Sequence, residues 1–126
     1  MAAKTALALA LVLLVGACGD DGEQCVPSPP SVQLEVTSPT LAVSRPVVLR
    51  AVARGASCSG FPLSEVAEYR WDFDDDGVYE LTGSDLPEVE VTFEHPGRHW
   101  VEVVVYDTAG TRADDAVMLD LPGPAR

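Results

Sequence analysis

Five carboxylates crowd into the nine positions from Asp72 to Glu80: Asp72, Asp74, Asp75, Asp76 and Glu80, with Gly77 inside the run. Acids at this density repel one another unless a proton or a cation neutralises them. Asp72, Asp74 and Asp76 followed by Gly77 have the Asp-x-Asp-x-Asp-Gly spacing in which alternate carboxylates converge on one hard cation and glycine permits the sharp turn; Glu80 falls near the end of the same loop. The chemistry this spacing predicts is coordination of calcium, the one cofactor the sequence suggests. Position twelve counted from Asp72 is Gly83 rather than a bidentate glutamate, and no helical pattern flanks the loop, so the segment is not an EF-hand. The competing reading is a solvated turn whose Asp side chains accept from backbone amides.

Catalysis has less support. His95 precedes Pro96 in a turn, and His99 falls on an inward or rim position of a strand, so neither is set by pattern beside a Ser and an acid. Two histidines without a free cysteine pair do not make a zinc site. The chain reads as a non-enzymatic protein.

The three cysteines divide by position. Lys4 and the apolar stretch Ala6 to Val15 form an export signal, too short to span a bilayer as a mature helix. It ends in Leu14-Val15-Gly16-Ala17-Cys18, which resembles a bacterial lipobox. That resemblance implies diacylglycerol on the Cys18 sulfur, cleavage before it, and anchoring by two or more fatty-acyl chains such as palmitate. The other reading is ordinary secretion, since Val15-Gly16-Ala17 also fits the small-x-small rule and would leave Cys18 a simple thiol. With Cys18 acylated, Cys25 and Cys58 are an even pair in an oxidising compartment and are expected to form a disulfide. The rival pairing, Cys18 with Cys25, strands Cys58 as a thiol.

Removing residues 1–17 leaves 109 of the 126 residues, enough for one core and not two. Lys4 is the only charge lost, so the net charge moves from −12 to −13. Such an excess argues against nucleic acid and against docking on anionic lipid, and favours cations or a basic partner. Residues 18–31, with Asp20, Asp21, Glu23, Pro27, Pro29 and Pro30, read as the lipidated Cys and an acidic, then stiff, tether. Residues 32–122 read as the folded domain. The destination is a bacterial membrane, facing the periplasm or the cell surface, with the outer membrane favoured.

From Val32 onward apolar residues recur at period two between Gly, Pro, Ser and Asp clusters, the mark of short antiparallel strands. The strands predicted are Val32 to Val36, Val47 to Ala53, Val66 to Phe73, Val78 to Leu81, Val89 to Phe93, His99 to Tyr106 and Arg112 to Leu121, with Leu41 to Val43 as a short edge piece. About seven strands at this spacing predict an all-β, immunoglobulin-like sandwich. Alternation turns Leu49, Ala51 and Ala53 inward, with Tyr69, Trp71, Phe73, Val101, Val103 and Val105, and turns Arg50, Arg70, Asp72 and Glu102 outward. Asp115, Val117, Leu119 and Leu121 share one face of the last strand.

Trp71-Asp72-Phe73 running into the acidic Gly turn, Phe93 three residues before Pro96-Gly97, and an alternating strand closing in Asp107 and Gly110 together resemble the PKD (polycystic kidney disease) domain family over about Val47 to Leu121. The resemblance implies a β-sandwich of extracellular or bacterial cell-surface proteins. The chain departs from the family in the number of acids at Asp74-Asp75-Asp76, in His99 where the family has an inward Tyr, and in Trp100, Glu102, Val104 and Tyr106 where the family has outward Thr. Trp100, Val104 and Tyr106, joined by Ala116 and Met118, would form an apolar ridge of the kind that contacts an envelope or extracellular protein or glycan. Two rival roles follow: an interaction module, or a calcium-stabilised spacer. The ridge has its own competing reading, in which Arg70 stacks on Trp100 or the tether covers the face.

Overall fold

The computed structural model describes residues 25–123. The export signal, Cys18 and the first part of the tether lie outside the described residues. The strands, in chain order, are β1 (Pro27–Ser28), β2 (Ser31–Val36), β3 (Pro46–Arg54), β4 (Ser57–Cys58), β5 (Phe61–Pro62), β6 (Val66–Asp72), β7 (Leu81–Gly83), β8 (Glu88–Thr92), β9 (Gly97–Asp107) and β10 (Arg112–Leu121). A four-stranded sheet ordered β10-β9-β6-β7 packs on a three-stranded sheet ordered β2-β3-β8, and a small sheet β1-β4-β5 closes one end.

The two large sheets meet because each is apolar on one face. Val47, Leu49 and Ala51 of β3 and Val89 of β8 oppose Trp71 of β6, Val101, Val103 and Val105 of β9, and Leu119 and Leu121 of β10, all buried in one cluster. Trp71 is fully enclosed, its ring 6.1 Å from that of Phe73. Its indole Nε1 donates to the Leu86 carbonyl at 2.9 Å, so the one polar atom of the largest core side chain is satisfied and the approach to β8 is fixed. β9 and β10 pair without interruption from Tyr106 with Arg112 to Gly97 with Leu121. The turn between them is held by Asp107, whose Oδ1 accepts from the amides of Ala109 at 3.0 Å and Thr111 at 2.7 Å.

Farther along β10, Asp115 reaches across to β2, its Oδ2 accepting from the Leu34 amide at 2.8 Å. Alternation assigns Asp115 to the inner face, where a carboxylate is out of place; the structure supplies the reason, since it seals the junction between the two sheets.

Four features differ from the sequence-based expectation. The segment Val78 to Leu81 is not a strand: β7 starts at Leu81, and Val78 is exposed. Leu41 to Val43 pack on the core without joining a sheet. The domain begins before residue 32, because Pro27–Ser28 pair with Ser57–Cys58 and Cys25 is bonded to Cys58, with Cα atoms 5.4 Å apart. The folded part of the chain therefore takes in residues 25–31, which the sequence assigned to the tether. Finally, β1, β4 and β5 have only two residues each, too short to leave a periodic signal in the sequence.

Candidate functional site

β6 ends in the acidic turn, and Asp72 organises it. Its Oδ1 accepts from the amides of Asp74 at 3.2 Å and Asp76 at 3.4 Å, and its Oδ2 from the amide of Gly77 at 2.9 Å. Asp72 is consequently buried, at 1 % exposure, instead of facing solvent as alternation predicts. The turn curls back over the strand end, with Asp75 and Gly77 in the left-handed region at φ 56° and 82°. Asp tolerates that region and Gly is at ease in it, which is why these residue types close the turn. Asp76 Oδ1 accepts from Val78 N at 2.9 Å, and Glu80 Oε1 from Phe73 N at 2.7 Å. The amide-capping arrangement is therefore present.

It also brings four acids close enough together that one cation could reach them all. One carboxylate oxygen from each of Asp72, Asp74, Asp76 and Glu80 lies within 4.8 Å of the others. The four residues singled out by spacing thus share one place, and oxygen donors of this kind suit a hard cation such as calcium. Burial works to raise the Asp72 carboxyl, yet the backbone donors led by Gly77 hold it below its usual value. Asp74 is pushed up to about 6, first by sharing its proton with Asp76, then by lost hydration, by Asp72 and by the charge of Glu80. A proton on Asp74 partly relieves the repulsion that a cation would relieve more fully.

A pH dependence follows in calcium-free buffer. Between the usual aspartate value of 3.8 and about 6, the folded chain holds a proton on Asp74 that the unfolded chain has released. Stability from this group therefore falls as pH rises through that interval. Asp72 acts oppositely: its contribution is complete above 3.8 and is lost as pH falls through its lowered folded value. Asp74→Asn is expected to be more stable than the wild type at pH 7 and to lose that advantage at pH 4. Urea midpoints at the two pH values measure it, and an advantage unchanged by pH would contradict the assignment.

Next to the turn lies the outer face of the four-stranded sheet. Trp100 of β9 is half exposed, and Met118 of β10 sits directly opposite it at 38 % exposure. β6 ends at Asp72, opposite Glu102, so no β6 residue covers Trp100. Glu102, paired with Asp72 on one side and Ala116 on the other, is partly buried, its carboxyl raised chiefly by lost hydration and next by Asp114. Ala116, paired with Glu102, is exposed.

The rest of the expected ridge is not free. Val104 is fully buried because its short side chain stands between Arg70 and Asp114, the longer residues paired with it on either side. Tyr106 is half-buried: the Arg70 guanidinium stacks 4.5 Å from its ring centre, with Tyr79 at 5.9 Å on the same cation. Arg70 also pairs with Glu68 at 3.2 Å. Arg70 covers Tyr106, not Trp100, and the accessible apolar area contracts to Trp100 and Met118.

The histidines are accounted for locally. His99 packs on Phe93, ring centres 4.5 Å apart, and its Nε2 donates to the His95 carbonyl at 2.7 Å. His95 is exposed in the preceding turn. At the far end of the sheet, Ser64 donates to Asp107 Oδ2 at 2.8 Å; this hydroxyl foremost, with the Thr111 and Ala109 amides, holds the Asp107 carboxyl below its usual value against the effect of burial. A serine bonded to an acid that is itself engaged by two turn amides is a structural brace.

The profile of the PKD domain family matches residues 31–119. The chain belongs to the PKD domain family. Its fold agrees with that of the PKD1 domain of Vibrio anguillarum Epp at a TM-score of 0.56 and 16% identity, over 79% of this chain and 100% of that one. The PKD domain of the human VPS10 domain-containing receptor SorCS2 gives a TM-score of 0.54 and 22% identity, over 82% of each chain. A structure described under carbohydrate-binding modules of the β-sandwich superfamily gives a TM-score of 0.61 and 18% identity, over 76% of this PKD chain and 35% of that one. At these identities the likeness is one of fold. No curated protein sequence matches the chain significantly.

Proposed function

We propose that this PKD domain is a non-catalytic, lipid-anchored module of the bacterial cell envelope whose outer sheet face around Trp100 contacts a protein or a glycan. The observation that carries the proposal is an exposed Trp100 paired with Met118, in a place where neither side chain serves the core. A flat indole beside carboxylates suits a glycan as well as a protein: the ring stacks on apolar sugar faces and the acids accept from hydroxyls. A structure described under carbohydrate-binding modules shares this fold over 35% of its length, which is a likeness of scaffold. The anchor rests on Leu14-Val15-Gly16-Ala17-Cys18 and implies a place on a bacterial membrane facing the periplasm or the cell surface, with the outer membrane favoured.

Trp100→Ala is expected to weaken capture of the partner by about 30-fold, corresponding to about 2 kcal/mol for a central aromatic anchor, while folding stability shifts by no more than about 0.5 kcal/mol. Capture from the glycan and protein fractions of the envelope, read beside urea unfolding, separates the cases. Undiminished capture by a stably folded Trp100→Ala protein would remove this face from the interaction.

The convergence of Asp72, Asp74, Asp76 and Glu80 favours a second reading, a calcium-stabilised spacer. Sites of extracellular type bind at roughly 0.1 to 1 mM, so 5 mM calcium is expected to raise Tm by about 5 °C through mass action. An Asp74→Asn, Asp76→Asn protein would not respond. Equal melting of the wild type in calcium and in chelator would leave only the capped turn.

A further inference from the structure

The small sheet β1-β4-β5 carries more exposed apolar side chain than any core requirement explains. Phe61 is 74% exposed, Leu63 59% and Val26 84%. Phe61 lies in β5 opposite Cys58, Leu63 follows that strand, and Val26 precedes β1, whose Pro27 also faces Cys58. The three side chains thus sit around one cross-linked hairpin, held by the Cys25–Cys58 bond. Beside it, a cleft with Pro62 and Leu63 on one wall and Thr108 on the other opens to solvent.

The chain preceding the hairpin indicates what lies against it. Cys18 is seven residues before Cys25, a distance of no more than about 25 Å even when fully extended. Cys25 is fixed to the hairpin, so an acyl chain on Cys18 holds this end of the sandwich within that distance of the bilayer. β6 runs from the hairpin end to the acidic turn, and Asp74, Asp75, Asp76 and Glu80 gather at the far end with Asp120, while Arg54 and Arg112 stand at the hairpin end near Glu65 and Asp114. Charge at the hairpin end is mixed, Arg54 and Arg112 standing with Glu65, Asp107 and Asp114, and the tether adds Asp20, Asp21 and Glu23, so the contact expected there is apolar and made with a zwitterionic lipid surface.

We propose that Phe61, Leu63 and Val26 enter the interfacial region of the bilayer, so that the domain stands on its disulfide-braced end with Trp100 and the acidic turn directed away from the membrane. The proposal rests on the reading of Cys18 as acylated. The occupant is a lipid surface, and the apolar side chains are its insertion element.

The test uses the full acylated chain on phosphatidylcholine vesicles whose acyl chains carry bromine, with Trp100→Phe as the background. Phe61→Trp is expected to lose about half of its added emission to bromine, whereas Val78→Trp, introduced beside the acidic turn, loses almost none. Both positions are exposed, so the fold should tolerate them, and unchanged Tm would verify this. Sedimentation with vesicles reads the anchor separately, with Cys18→Ser as its control. Protein that sediments with no quenching at Phe61→Trp overturns the orientation and leaves the anchor intact; wild-type chain that does not sediment overturns both. A photoreactive side chain at position 61 that crosslinks in cells to a polypeptide in place of lipid would assign the hairpin to a protein partner and overturn the proposal.

Discussion

Trp71→Ala should lower folding stability by about 3 to 5 kcal/mol, the range for emptying a fully buried aromatic site. The cause is specific. Trp71 is enclosed between the two sheets, stacked with Phe73, and its Nε1 holds the Leu86 carbonyl. Truncation opens a cavity at the centre of the core and releases the segment leading into β8. Against a total of about 5 to 15 kcal/mol for a domain, the variant would be marginal. Trp71→Phe separates the two parts: it keeps most of the volume but leaves a part-buried carbonyl without its donor, at about 1 kcal/mol. Urea unfolding gives both values. A loss below about 1 kcal/mol for Trp71→Ala would mean that the core closes over the gap, against the packing described.

Removing the Cys25–Cys58 bond should cost a comparable amount, about 3 to 4 kcal/mol in the chain-entropy account, for a closed loop with a sequence separation of 33. The loss has a local side. β1, β4 and β5 have two residues each, and β1 joins the domain through its pairing with β4 and through this bond. Reduction should therefore loosen residues 25–28 and 57–62 before the sandwich melts. Hydrogen exchange of the reduced protein should show early loss of protection in these strands, with β9 and β10 still protected. Peptide mapping of unreduced protein that recovers Cys25 and Cys58 as free thiols would refute the pairing.

The large-scale fold was legible because alternation is strong where one face is buried: β3, β9 and β10 occur where period two predicts them, and their inward residues form the core. It failed where side chains answer to something other than the sheet face. Asp72 has an outward position, yet three backbone donors draw it inward. Val104 has an outward position too, and is covered by the longer residues flanking it. No period reveals how a neighbouring Arg will lie, so Tyr106 looked free when Arg70 covers it. The acidic site was visible as a spacing; that its four carboxylates meet within one turn required coordinates. The apolar hairpin was missed altogether, although Phe61 and Leu63 on either side of Pro62, just after Cys58, were a signal that could have been followed.

The bond from Leu34 N to Asp115 Oδ2 has a consequence beyond holding two sheets together. β2 is the outermost strand of its sheet, and the outer rim of such a strand is a template on which another chain can extend the sheet. A carboxylate seated on the Leu34 amide occupies that template and brings a negative charge to it. A rim left bare is open to pairing with a second chain wherever copies meet. Asp115 thus closes one donor of that rim from within the same chain.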